Sequence, residues 1–208
     1  MEPEQKDRIL IRARDLFLQF GIRIVSMDDI ASSLGISKKT IYQFFADKDE
    51  LVMGVILGKM NESQSICVRD QHDADNAVDE LFRAIDMLDE HLSTMNPAVL
   101  FDLKKYHPAA FQLLERHKND FLMGIVQQNL RRGIEEGLYR PDIHVDVLAK
   151  YRIESMLLSF EPAFYTKHKL SVAEVERILL EHYLYGIVTI AGYKLIEQNQ
   201  QQRQRHKH

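Results

Sequence analysis

Between Ser37 and Phe45 the chain reads SKKTIYQFF, and these residue types suit the reading of a nucleic acid. Lys38 and Lys39 can neutralise phosphates or donate to guanine edges. Thr40 can meet a thymine methyl or hydrogen-bond in either sense, and Gln43 can pair bidentately with an adenine edge. Ile41 and Phe45 lie four apart, so on a helix they share one side. Lys38, Lys39, Thr40, Tyr42, Gln43 and Phe44 are then expected outward. Lys48 falls where a further helix would begin. A cation there is opposed by the helix dipole, so with the unbonded N–H groups of that first turn it points to a docked phosphate.

Such a face needs elements that hold it rigidly. Ser26 with Asp29 three positions on writes a capping box, after which Ile30, Ala31 and Leu34 form one apolar side. Gly35 would end that helix in a left-handed conformation. Ser37 can cap the next one through its hydroxyl. Two short helices joined by a glycine-containing turn make a helix-turn-helix, whose second helix can enter the major groove. Asp47 with Glu50 opens a further helix. Upstream, Ile9, Leu10, Ala13, Leu16, Phe17 and Phe20 recur at threes and fours from Lys6 to Phe20. That stripe would complete a three-helix head and bring Arg8, Arg12 and Arg23 within reach of a DNA backbone.

The stretch resembles the DNA-binding domain of the TetR family of bacterial transcriptional regulators. Phe17, Gly21, Ser26, Ile30, Ala31, Gly35, Ser37, the Thr40-Ile41-Tyr42 triplet, Phe45, Lys48 and Glu50-Leu51 fall where that family's pattern has them. Lys39 and Gln43-Phe44 depart from it, so no relative's operator can be assumed. DNA contacts are expected from Ser26, Ser37, Lys38, Lys39, Thr40, Tyr42, Gln43 and Lys48, those of Lys39 and Gln43 on side-chain chemistry and not on the resemblance. The resemblance also implies a homodimer on a palindromic double-stranded operator, and a body that encloses a small-molecule effector.

Composition fits this expectation. The chain has 208 residues, is 45% hydrophobic, lacks tryptophan and carries a formal net charge of -4. Nucleic acid would therefore be drawn by a local patch and not by the whole surface. A single cysteine, Cys67, excludes an internal disulfide framework and suits a reducing compartment. The charged N-terminus has no apolar signal core, and no run approaches the ~18 apolar residues of a membrane helix. A cytoplasmic chain without a membrane anchor is expected.

Downstream, one helix runs on from Asp47 to a polar break at 70–75. Others are expected over 77–95, from Pro97, over 109–136, over 145–160 and over 172–197, the tail beyond Glu197 fraying. With no strand alternation, the fold is expected to be all-α with about nine helices: a DNA-binding domain over 1–50 and a ligand-binding and dimerisation domain over 51–208. The helices over 145–160 and 172–197 carry more apolar surface than a monomer face needs, and Gly186, Ala191 and Gly192 would allow close approach. A twofold bundle of them could hold two heads roughly 34–36 Å apart.

Aromatic, soft or polar residues in the central helices are the pocket candidates: Phe101, His117, Phe121, Tyr151, Met156 and Phe160, with Tyr106, Phe111 and Phe164 beside them. His117 stands out between Leu113 and Phe121 on an apolar stripe. Nothing points to catalysis. The histidines lack H-E-x-x-H spacing, the glycines form no phosphate loop, and Cys67 has no partner motif. No catalytic residue, metal or cofactor is expected. The other reading is a helix-turn-helix adaptor or activator acting through a protein partner.

Overall fold

The structure is a computed structural model describing residues 2–206. It is all-α, with eleven helical rods among those residues. They are α1 (Glu2–Phe20), α2 (Met27–Leu34), α3 (Lys38–Tyr42), α4 (Lys48–Asp73), α5 (Ala77–Leu92) and α6 (Ala98–Tyr106). Next comes one rod made of α7 (Pro108–His117), a π turn (Lys118–Leu122) and α8 (Met123–Glu135). Another joins α9 (Val145–Ser155) to a 3-10 turn (Met156–Phe160), and α10 (Pro162–Thr166), α11 (Val172–Ile187) and α12 (Ile190–His206) complete the chain. Two compact units divide it: residues 1–63 with 94–117, and residues 64–93 with 118–208.

In the first unit Ile9, Ala13 and Phe17 of α1 meet Ile30, Ala31, Ile41, Phe45 and Leu51 in one core. Val99 and Leu103 of α6 and Ala110 of α7 join it. In the second unit α5 packs on α11 and α8, and α8 packs on α9. Its core holds Phe82, Ile85, Leu130, Tyr139, Leu180, Leu184 and Ile196. Here the α4–α5 turn is fastened from α8. Arg132 donates to Ala74 O at 2.9 Å, Glu136 accepts from Ala77 N–H at 2.8 Å, and Asn129 Nδ2 donates to Ala77 O at 3.0 Å.

Two rods beyond the expected nine have local causes. Pro162 cannot continue the helix before it but suits a first turn, so a short α10 begins there. The expected helix over 172–197 is broken at Val188, whose backbone is extended (φ -76, ψ 153). The run Ile187-Val188-Thr189-Ile190 is β-branched throughout and weakly helical. It bonds instead to the loop after α8: Arg140 N–H donates to Ile187 O at 2.8 Å and Thr189 N–H to Leu138 O at 2.9 Å. Tyr139 and Val188 thereby form an isolated antiparallel bridge.

The expected fraying after Glu197 is also corrected. α12 continues to His206, with Arg203 paired to Asp86, donating to Phe82 O at 3.1 Å and lying over the Phe82 ring. Lys207 and His208 of that tail lie outside the described residues. Gly192, read above as a site of close approach between chains, meets Leu138 O and Val188 within its own chain.

Candidate nucleic-acid interface and effector cavity

The reading element is assembled by local bonds that the sequence encodes. Asp29 N–H donates to Ser26 Oγ at 3.1 Å while Asp29 Oδ2 accepts from Ser26 N–H at 2.8 Å, closing the capping box of α2. The Ser26 hydroxyl and N–H hold the Asp29 carboxyl below its ordinary value, aided by Lys48. Gly35 takes the left-handed conformation (φ 66, ψ 29), which any residue with a Cβ adopts at a cost. Ser37 Oγ then accepts from Thr40 N–H at 3.1 Å and lies 2.8 Å from Thr40 Oγ1, starting α3.

Ile41 and Phe45 are 0% and 2% exposed, so α3 is seated by the two expected anchors. Lys38, Lys39, Tyr42 and Gln43 are exposed on the other side and Thr40 is half-buried. Phe44 differs from its expected outward place: it is half-buried against the head's core. Lys38 Nζ reaches Asp28 Oδ2 at 2.7 Å, tying α3 to α2, and this bond raises the lysine's pKa. Arg12 Nε donates to Ser33 Oγ at 3.0 Å, so it braces α1 on α2. The exposed Arg23 lies 5.2 Å from the centre of the Tyr106 ring.

Lys48 is placed differently from the other seven DNA-contact candidates. Its Nζ donates to Ile22 O at 2.6 Å and to Arg23 O at 3.4 Å, and stands 5.8 Å from the Phe17 ring centre. Burial lowers its pKa, opposed by Asp102, Asp29 and Asp49. In this geometry Lys48 fixes the α1–α2 loop to the start of α4. Asp47 Oδ1 accepts from Glu50 N–H at 2.8 Å there, and Glu50 Oε2 from Ala46 N–H at 2.6 Å.

Two residues outside the motif also hold the head, and the sequence reading passed over both. Asp102 of α6, 6% exposed, accepts from Arg23 N–H at 2.8 Å. His107 Nδ1 lies 2.5 Å from Asp49 Oδ1 in the first turn of α4. Asp102 lies beside Leu103 and Val99 in a short apolar helix, the one hint in the sequence that this carboxylate is internal.

The second unit holds a cavity of about 100 Å³. Of the six pocket candidates only Met156 lines it. Phe101 and Tyr151 are 59% and 51% exposed, Tyr151 stacking on Tyr183 at 6.3 Å between ring centres. Phe121 and Phe160 are half-buried elsewhere in the unit. His117, 6% exposed, belongs to the first unit, and burial lowers its pKa. The cavity's walls come from α4, α5, α8, α9 and α11 and include Cys67, Leu88, Val126, Arg152, Ile153 and Tyr183.

Arg152 is 5% exposed and donates to Glu176 Oε1 at 2.5 Å. Both stand on otherwise apolar stripes, Ala149-Arg152-Ile153 and Val172-Glu176-Leu180. A charge so placed is the sequence signal that marks a buried pair.

Residues 9–55 match the family model described as bacterial regulatory proteins, tetR family. The chain is 28% identical over 183 residues to YvaF, an uncharacterized HTH-type transcriptional regulator of Bacillus subtilis, spanning 86% of this chain and 94% of that one. It is 27% identical over 173 residues to the HTH-type transcriptional repressor KstR2 of Mycobacterium tuberculosis, spanning 71% and 75%. A solved TetR family transcriptional regulator from Agrobacterium tumefaciens shares the fold with a TM-score of 0.74 at 19% identity, covering 91% of this chain and all of that one. With the motif residues in the family's order and the matched segment running over α1–α4, residues 9–55 form a DNA-binding domain of the tetR type, and the chain as a whole is similar to transcriptional regulators of that family, whose fold it shares along nearly its whole length.

Proposed function

We propose that the protein is a cytoplasmic, ligand-responsive repressor that binds a palindromic operator as a homodimer and is released by a small-molecule effector. The observation that carries this reading is the exposed set Lys38, Lys39, Tyr42 and Gln43 on a helix seated by Ile41 and Phe45. Donors, a phenol and an amide on one short helix match base edges and phosphates. Residues 1–50 form the DNA-binding part, with Ser37 and Thr40 at the groove and with Ser26 and Lys48 nearer the backbone. Residues 51–208 carry the effector and the dimer face.

For the dimer face, α11 and α12 leave Ile178, Tyr185, Ile190 and Tyr193 between 41% and 79% exposed, with the Tyr185 and Tyr193 rings 5.9 Å apart, apolar surface that a second copy would cover. For the effector, the cavity in the second unit supplies a largely apolar site. An occupant that binds better to the DNA-incompetent arrangement lowers operator affinity by the ratio of its two affinities. The repressor sense follows the relative KstR2.

Operator fragments drawn from the DNA flanking the gene test the reading in an anisotropy titration across salt. Lys39→Ala should weaken all sequences alike and reduce the salt slope by about one. Gln43→Ala should relax preference at one base by about 1–3 kcal/mol. Unchanged binding in both variants would remove α3 from the interface.

A further inference from the structure

The cavity carries information about what it accepts, and the inference below rests on its reading as the effector site. Leu81, Ala84, Leu88, Val126, Ile153 and Leu180 give it walls of hydrocarbon. Its volume of about 100 Å³ is about two-thirds of the ~150 Å³ apolar cavity that holds benzene, which limits an occupant to about one ring.

The charged groups on its lining are already matched. Arg152 is bound to Glu176, Asp70 Oδ1 lies 2.9 Å from Arg69, and Glu80 Oε2 lies 3.4 Å from Arg132. An ion entering here would have to break one of these pairs or go without a counter-charge in a low-dielectric space, and either is heavily disfavoured. Asn129 is also engaged, its Nδ2 with Ala77 O and its Oδ1 with the Tyr139 hydroxyl at 3.1 Å.

Tyr183 is the exception. It lines the cavity, it is 5% exposed, and its hydroxyl has no hydrogen-bond partner. A buried hydroxyl left in that condition is disfavoured, and an acceptor arriving with a ligand relieves it. We propose that this cavity selects a small, uncharged, largely hydrocarbon molecule of about one ring, whose oxygen accepts a hydrogen bond from the Tyr183 hydroxyl. Burial pushes the Tyr183 phenol well up, so it remains a donor throughout the physiological range. The wall can also adjust. Leu122 ends the π turn and Met156 starts the 3-10 turn, and both line the cavity. Irregular helical turns shift more readily than regular ones.

The test uses the full chain and four six-membered-ring probes of graded chemistry: cyclohexanone, cyclohexane, cyclohexanecarboxylate and cyclohexylammonium. Binding is followed by ligand-observed NMR and calorimetry. Cyclohexanone should bind most tightly and both ions at least about tenfold more weakly. Tyr183→Phe should weaken cyclohexanone about five- to tenfold, the range of one hydrogen bond, while leaving cyclohexane unchanged. Ala84→Phe, which fills the space from α5, should abolish both.

An ion that binds as well as cyclohexanone, a cyclohexanone affinity indifferent to Tyr183→Phe, or no binding by any probe would overturn the assignment. Operator binding is measured on the same samples. Ring selectivity without DNA binding would sink the repressor reading and keep the ligand class. DNA binding without ring selectivity would do the reverse.

Discussion

Two buried tyrosines face the same substitution with opposite expected signs. Tyr139 is 1% exposed and its hydroxyl lies 2.9 Å from Ala77 O and 3.1 Å from Asn129 Oδ1. Tyr139→Phe leaves Ala77 O with the Asn129 Nδ2 bond but strips Asn129 Oδ1 of its donor inside the core. Removing one partner from such a pair costs about 1–2 kcal/mol. Tyr183→Phe removes a hydroxyl that bonds to nothing, so the same deletion returns its desolvation penalty and stabilises the ligand-free protein by about 1 kcal/mol.

At about 2–4 °C per kcal/mol for a chain of this size, the two variants should melt some 4–12 °C apart, one below and one above the parent. Differential scanning calorimetry on ligand-free protein reads this directly. Equal shifts of the same sign would refute the idea that hydrogen-bond satisfaction, and not ring packing, distinguishes the two positions.

Further expectations follow from the same geometry. Burial raises the phenol pKa of both Tyr139 and Tyr183, whereas an unfolded tyrosine ionises near pH 10. Their contribution is therefore whole below about pH 10 and is lost as pH climbs beyond it. Absorbance at 295 nm should show these two of the eight tyrosines ionising together with alkaline unfolding. Gly133→Ala would place a Cβ 2.0 Å from Tyr139 Cδ2, so it should destabilise by about 3 kcal/mol in urea melts, although alanine is ordinarily the better helix residue. Gly35→Ala meets no neighbour but keeps a positive φ, and about 1 kcal/mol of loss is expected. Ile190→Lys, at a residue 79% exposed on α12, should shift sedimentation velocity toward a single chain and weaken operator binding, and an unaltered sedimentation profile would free that face from the dimer.

What could be read from the sequence was what local bonds decide. The Ser26–Asp29 box closes over three residues, and it is present. Ile41 and Phe45 share a side by helical period alone. The break at Val188 depends instead on carbonyls and N–H groups of residues 138–140, some fifty positions away, which no local pattern contains. The cavity was hidden for a related reason. Its walls come from five helices, and counting aromatics led to Phe101 and Tyr151, which are exposed. Of the charged groups there, Arg152 is marked by its apolar stripe, whereas Glu80 looks like an ordinary surface charge until its helix is packed.

The head's attachment to α6 and α7 bears on modularity. Residues 94–117 supply Val99, Leu103 and Ala110 to the same core as Ile9 and Phe17, and Asp102 and His107 clasp the backbone of Arg23 and the carboxylate of Asp49. A transplant that grafts only the first fifty residues onto a foreign regulator would leave that core open and those clasps empty. A chimera that carries 94–117 along with its own motif should keep its stability and its DNA preference.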